Sequence, residues 1–256
     1  MKFEYVSIER RGPVAVVGFD RKSNLNAFNE QLVDELTTAA RSFHDDLETH
    51  AVVLAGAAQA FSAGFDLKAT ESWPSESDEL KRRHRAYGGV RLCKAWEEMP
   101  QITIAAMERL AVGGGVALAI ACDWRVLGRS AYLYVPEVKI GLNLQWGALP
   151  RLIALVGPAR AKRITILCER MGAEQALDWG LVDEVADDGE TVSKALRMAE
   201  VAAAMPPATA RMVKQAINAT AGALNTATSF GDADQSQLTA AYSAAAASRR
   251  SFRDKR

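Results

Sequence analysis

Phe61-Ser62-Ala63-Gly64-Phe65-Asp66 and Leu110-Ala111-Val112-Gly113-Gly114-Gly115-Val116-Ala117 are the two stretches whose reading decides the fold. Each follows an apolar run rich in β-branched residues: Ala51 to Gly56 before the first, Ile102 to Met107 before the second. Each brings glycine to the end of that run. A strand, a glycine turn and a small-residue helix leave backbone N–H groups without acceptors at the helix start. Two such groups converging on one point would hold a developing oxyanion. Taken alone, Gly113-Gly114-Gly115 has a second reading, in which glycine only lets a helix pack closely on a sheet.

Outward from these turns, residues 3–10 and 13–20 alternate in polarity around Arg11-Gly12-Pro13 and predict a hairpin. Phe28, Leu32, Leu36, Ala39 and Phe43 recur at helical spacing, with Asn26 or Asn29 available as the cap. Charge gathers between Thr70 and Trp96, where a loop broken at Trp73-Pro74-Ser75 should precede a helix from about Ser77 to Trp96. Trp124 to Leu127 and Ala131 to Val135 read as strands. Strands alternating with helices imply crossovers and a largely parallel sheet, hence an α/β fold. Residues 145–156 and 158–168 read as helices broken at Gly157. A turn and strand piece follow at 180–185, then three helices with a break at Met205-Pro206-Pro207, the last over about 228–248. Alanine is heavy in this final part, which favours helix and close helix–helix approach.

Composition narrows the function classes. Thirty-one basic residues balance 31 acidic ones, so there is no charge case for nucleic acid or an anionic membrane. Cys93, Cys122 and Cys168 are too sparse for a disulfide framework. His44, His50 and His84 show no ligand spacing, and no metal site is expected. The start of the chain lacks a signal-peptide pattern and no apolar run approaches the roughly 20 residues of a membrane span. The expected location is cytoplasmic.

The two glycine turns, in this order, resemble the two oxyanion-hole segments of the enoyl-CoA hydratase/isomerase (crotonase) family. The resemblance extends through Asn24-Leu25-Asn26-Ala27, Cys122-Asp123, Pro136-Glu137-Val138-Lys139-Ile140-Gly141, Gly180-Leu181-Val182-Asp183 and the terminal Phe252 to Arg256. It implies a crotonase-like spiral of ββα units over residues 1–188, followed by a C-terminal helical trimerisation region over 189–256. It also implies a thioester substrate. The amides of Phe65 and Gly114 would hold the thioester oxygen, and Glu137 would carry the proton. The residues themselves leave Glu137 open as a surface group after a strand. If buried in its apolar stretch, its carboxyl would rise from about 4.3 toward neutrality.

The family's hydratases carry a second glutamate at the place of Ala117. Ala117 with Glu137 therefore resembles the single-carboxylate isomerases, which move a double bond from the 3- to the 2-position. Hydration, thioester hydrolysis, dehalogenation and carbon–carbon cleavage remain alternatives, as does a non-catalytic acyl-CoA-binding subunit. Coenzyme A enters as part of the substrate, with no separate cofactor. By resemblance, Lys22, Asn24, Leu25, Ala63, Asp66 and Lys68 lie along it, and Phe252 and Lys255 approach its nucleotide from a neighbouring subunit. For each lysine the plain alternative is a solvated side chain. Trp73, Tyr87, Ala117, Leu142, Gln145 and Trp146 are candidates for the acyl pocket. For Gln145 and Trp146 the alternative is helix-start packing. The resemblance implies a homotrimer or a hexamer built from two trimers, and the balanced charge gives no case for nucleic-acid or membrane partners.

Overall fold

The computed structural model describes residues 2–68 and 78–242. The expected hairpin is formed by β1 (Val6–Arg11) and β2 (Val14–Phe19), with Val6 opposite Phe19. Helix α1 (Glu30–Ser42) follows, and its cap is Asn29, whose side-chain oxygen accepts from the Leu32 amide at 2.9 Å. Asn26 is used elsewhere. Strand β3 (Ala51–Ala55) is buried at every residue, as expected of a strand covered on both faces.

Helices α2 (Glu79–Ala86) and α3 (Gly88–Glu97) replace the single expected helix, breaking at Tyr87. Asp78 caps α2 through the amides of Leu80 and Lys81. Strand β4 (Ile102–Met107), β5 (Leu110–Val112), α4 (Gly114–Ala119), β6 (Trp124–Gly128) and β7 (Tyr132–Tyr134) come next. Then follow α5 (Ala148–Lys162), β8 (Met171–Gly172), α6 (Ala173–Asp178) and β9 (Glu184–Ala186). Helix α5 kinks at Gly157, the position the sequence marks as a break. The chain continues as α7 (Thr191–Ala203), α8 (Pro207–Ala221), α9 (Asn225–Ser229) and α10 (Asp232–Ala241). As far as the described residues reach, the last expected helix is two, divided around Phe230-Gly231, and 243–248 lie outside them.

The strands form two sheets. The larger has the order β1-β2-β3-β4-β6-β9, parallel after the first pair. The smaller has the order β5-β7-β8. Alternation along β3 divides the core. Val52 and Leu54 face one apolar cluster with Leu32, Leu36 and Trp96, while Ala51 and Val53 face a second with Ile104 and Val126. Helix α7 closes the second face through Ala195, Ala199 and Ala203, spaced four apart so that one stripe of methyls meets the sheet. Helix α8 is tied to the same region by buried Lys214, whose Nζ lies 2.6 Å from both Gln101 O and Asp123 Oδ2. Because β5 and β7 are paired in parallel, Val112 opposite Tyr134, the chain leaving β7 passes over the start of α4.

Candidate active site

The first turn is zipped to the second. Ser62 donates its amide to Leu110 O at 3.2 Å and accepts from the Val112 amide at 2.9 Å. On its other side the Phe28 amide donates to Gly64 O and the Asp66 amide to Phe28 O, both at 2.8 Å. That pattern turns the N–H of Phe65 away from Phe28, toward the side of Val112 to Gly114. Gly64 has φ +87°, and a methyl there would stand 2.7 Å from Val112 O. The conformation and the close approach both require glycine. Gly113 has φ +50° and donates its amide to Tyr134 O at 2.8 Å. Gly114 then opens α4, where a helix offers no acceptor for its N–H.

Glu137 stands in the chain leaving β7, at the start of a short 3-10 turn (Val138–Ile140). Its backbone carbonyl accepts from the amides of Ile140 at 3.1 Å and Leu142 at 2.9 Å. These bonds fix the side chain's origin. A methyl on Gly113 would overlap Glu137 Oε1, so the carboxyl faces the second turn directly. Although the residue as a whole is only half-buried, its Oε2 is sealed and has no hydrogen-bond partner. Burial pushes the carboxyl up to about 7, with only its own backbone amide acting in the other direction.

A crevice of about 420 Å³ joins these groups. Asn24, Leu25, Ala63, Phe65, Asp66, Lys68, Gly114, Ala117, Glu137, Leu142, Gln145 and Trp146 all line it. Lys22 and Tyr87 are not among its lining residues. Lys22 is exposed, and the Tyr87 hydroxyl lies 2.8 Å from Asp234 of α10. Trp73, Phe252 and Lys255 lie outside the described residues. Asp66 is committed to structure: Arg21 Nη1 approaches it at 2.7 Å and Asn24 Nδ2 at 3.2 Å. Burial alone would raise its carboxyl, but these partners and the Lys68 amide hold it below the ordinary value.

Asn26 braces the crevice in a way that its reading as a possible helix cap does not disclose. Asn24, Leu25 and Asn26 all have positive φ, a run that needs external support. Fully buried Asn26 supplies it. Its Nδ2 donates to Phe19 O and Phe61 O at 3.1 and 2.9 Å, and its Oδ1 accepts from the Arg21 amide at 2.9 Å. One amide side chain thus joins β2, the crevice turn and the first glycine turn. The only sequence cue is a short polar residue suited to left-handed backbone. Asn26→Ala removes the partner of three backbone groups, two of them buried, and is expected to cost about 3 kcal/mol in chemical denaturation. It should also weaken ligand binding to the crevice.

A family model described as Enoyl-CoA hydratase/isomerase matches residues 9–256. A protein named short-chain-enoyl-CoA hydratase from Clostridium acetobutylicum is 32% identical over 219 residues, covering 85% of this chain and 82% of its own. The mitochondrial enoyl-CoA hydratase of Pongo abelii is 32% identical over 223 residues, or 85% and 74%. A crystal structure of an enoyl-CoA hydratase from Bacillus anthracis matches with a TM-score of 0.78 at 30% identity, covering 84% and 82%. One from Mycobacterium avium subsp. paratuberculosis, at 24% identity, has a TM-score of 0.88 over 100% and 98% and bears on the fold alone. Among the described residues no helix is long and apolar enough to cross a membrane. With the two zipped glycine turns, the carboxyl facing them and a family match over nearly the whole chain, this protein belongs to the enoyl-CoA hydratase/isomerase family and has the crotonase fold.

Proposed function

We propose that the crevice binds an acyl-CoA thioester and that Glu137 alone moves a proton on it, shifting a double bond from the 3- to the 2-position. The observation that carries this reading is the state of the crevice carboxylates. Glu137 has a sealed, unpartnered oxygen, whereas Asp66 is held by Arg21. Ala117, buried where the family's hydratases resemble one another in carrying a glutamate, supplies no second acid.

In this mechanism the thioester oxygen accepts from the amides of Phe65 and Gly114. Glu137 removes a proton from C2, the negative charge moves onto the oxygen, and the double bond shifts into conjugation as Glu137 returns the proton to C4. Each preplaced donor contributes about 3–4 kcal/mol of transition-state stabilisation. A carboxyl near 7 suits both halves of the transfer, because it gives up and regains a proton at little cost around neutral pH. Coenzyme A arrives with the substrate, and no other cofactor is needed for these steps. The exposed Met212, Val213 and Ile217 of α8 fit a role for the C-terminal helices in a trimeric or hexameric assembly.

Hydration is the second reading, favoured by relatives whose names say hydratase. Incubation with 2-enoyl and 3-enoyl thioesters distinguishes the two. Isomerisation gives conversion of the 3-enoyl compound without mass change. A gain of one water on the 2-enoyl compound, with no conversion of the 3-enoyl compound, sinks the isomerase reading. Ala117→Glu tests the missing acid. It is expected to raise hydration of the 2-enoyl thioester about 100-fold, while overpacking and charge burial cost about 1–3 kcal/mol of stability.

A further inference from the structure

One wall of the crevice is a single indole. Trp146 is 7% exposed and its ring packs beside Phe28, with centroids 5.6 Å apart, and edge-to-face with Phe65 at 6.2 Å. It spans two helix starts. A methyl on Gly114 of α4 would stand 2.7 Å from its Cη2, and a methyl on Gly89 of α3 would overlap its Cε2 and Nε1. The ring therefore occupies the space that two glycines leave open. Trp146 also lines a second hollow, of about 530 Å³, together with Tyr87, Val90 and Phe230, and so belongs to the lining of both spaces.

The loop that carries the ring is held from behind. Trp146 and Gly147 both have φ +65°, and their carbonyls accept from Arg151 Nη1 at 3.0 and 3.1 Å. Arg151 is itself fixed by Glu97 at 2.7 Å. Asp232, at the start of α10, accepts the Gly147 amide at 2.7 Å, and its carbonyl accepts from Asn143 Nδ2 at 3.0 Å. Both bonds grip the loop that carries the tryptophan. A side chain locked through its backbone on both flanks yields less readily to a ligand than one on a free loop.

We propose that Trp146 is the end wall of the acyl pocket and restricts this protein to short-chain acyl thioesters. The proposal rests on the acyl-CoA reading above. An acyl group whose oxygen is held by the Gly114 amide begins within one side chain's width of the indole. A few carbons fill the gap, and a longer tail must displace a ring braced by Arg151 and Asp232. Removing the ring joins the crevice to the hollow behind it.

Equilibrium binding of butanoyl-, hexanoyl- and decanoyl-CoA by calorimetry tests this on the wild type, Trp146→Ala and Trp146→Leu. For the wild type, affinity should fall at least ~10-fold from hexanoyl to decanoyl. In the two variants it should rise instead, by up to ~4-fold for each methylene newly buried. Two variants of different size guard against a truncation that unfolds the loop, and thermal melts report which remains folded. Gly89→Ala is expected to drive the indole into the crevice and weaken even butanoyl-CoA. Decanoyl-CoA bound by the wild type as tightly as hexanoyl-CoA overturns the wall, as does an unchanged chain-length ratio in a folded variant. Failure of the wild type to bind any of the three thioesters overturns the acyl-CoA reading itself, and the wall with it.

Discussion

Glu137→Gln is expected to lower turnover of an enoyl thioester about 10³-fold while leaving thioester binding within a few-fold of wild type. The amide keeps the shape and volume of the acid but cannot take a proton. The acid's surroundings also fix the pH dependence. Its folded value of about 7 lies above the ordinary 4.5 because burial penalises the charged form. Where the carboxylate acts as base, kcat/KM should rise with pH through about 7 and level off above it.

The same shift affects stability, with a definite sign. Between about 4.5 and 7 the folded chain holds this proton and the unfolded chain does not, so stability falls as pH rises. Below that window the penalty is absent; above it the penalty is complete, on the order of 3 kcal/mol. Glu137→Gln removes the ionisation. Its stability relative to wild type should therefore be nearly unchanged near pH 4 and higher by an amount of that order at pH 8. Denaturant titrations of both proteins at the two pH values read this difference. A variant that is inactive and equally stable at both would mean that the carboxyl is solvated in the working protein.

Gly113→Ala is expected to reduce turnover at least about 100-fold. The added methyl would overlap Glu137 Oε1, so the turn and the acid cannot both keep their places. The backbone, at φ +50° and ψ −111°, adds a conformational cost of about 1–3 kcal/mol. Gly12→Ala provides the control. Gly12 also has positive φ, +60°, but nothing stands within 4 Å of a methyl there. That variant should lose stability and keep activity. If Gly113→Ala also keeps activity, the carboxyl does not work from above the second turn.

Local chemistry explains which features the sequence discloses. The apolar runs before each glycine turn predict β3 and β4, and Gly157 marks the kink in α5, because each signal lies in neighbouring residues. The helix break at Tyr87 stands directly before Gly88-Gly89, a local cue that the charge pattern of the segment overshadows. The bond of the Tyr87 hydroxyl to Asp234, 147 residues away, is invisible in any local pattern. Asn26 and Asn29 are equally good caps in sequence. Long-range bonds to Phe19 and Phe61 decide that Asn26 serves as a staple and leave Asn29 at the helix. The position of Glu137 is legible as an acid after a proline, but its sealed oxygen depends on the parallel pairing of β5 with β7. Trp146 appears in sequence as an aromatic residue at a helix start. That it seats on Gly89 and Gly114 follows only from the approach of α3 to α4.

The most direct measurement is exchange of the C2 protons of butanoyl-CoA in deuterium oxide, followed by proton NMR. This compound has no double bond to hydrate or move, so exchange isolates proton transfer at the thioester. Wild-type protein should accelerate loss of the C2 signal well above the protein-free rate, and Glu137→Gln should return it to that rate. Bound butanoyl-CoA that exchanges no faster than in buffer, or equally fast with the glutamine variant, would contradict the assignment of Glu137 and the two amides to that carbon.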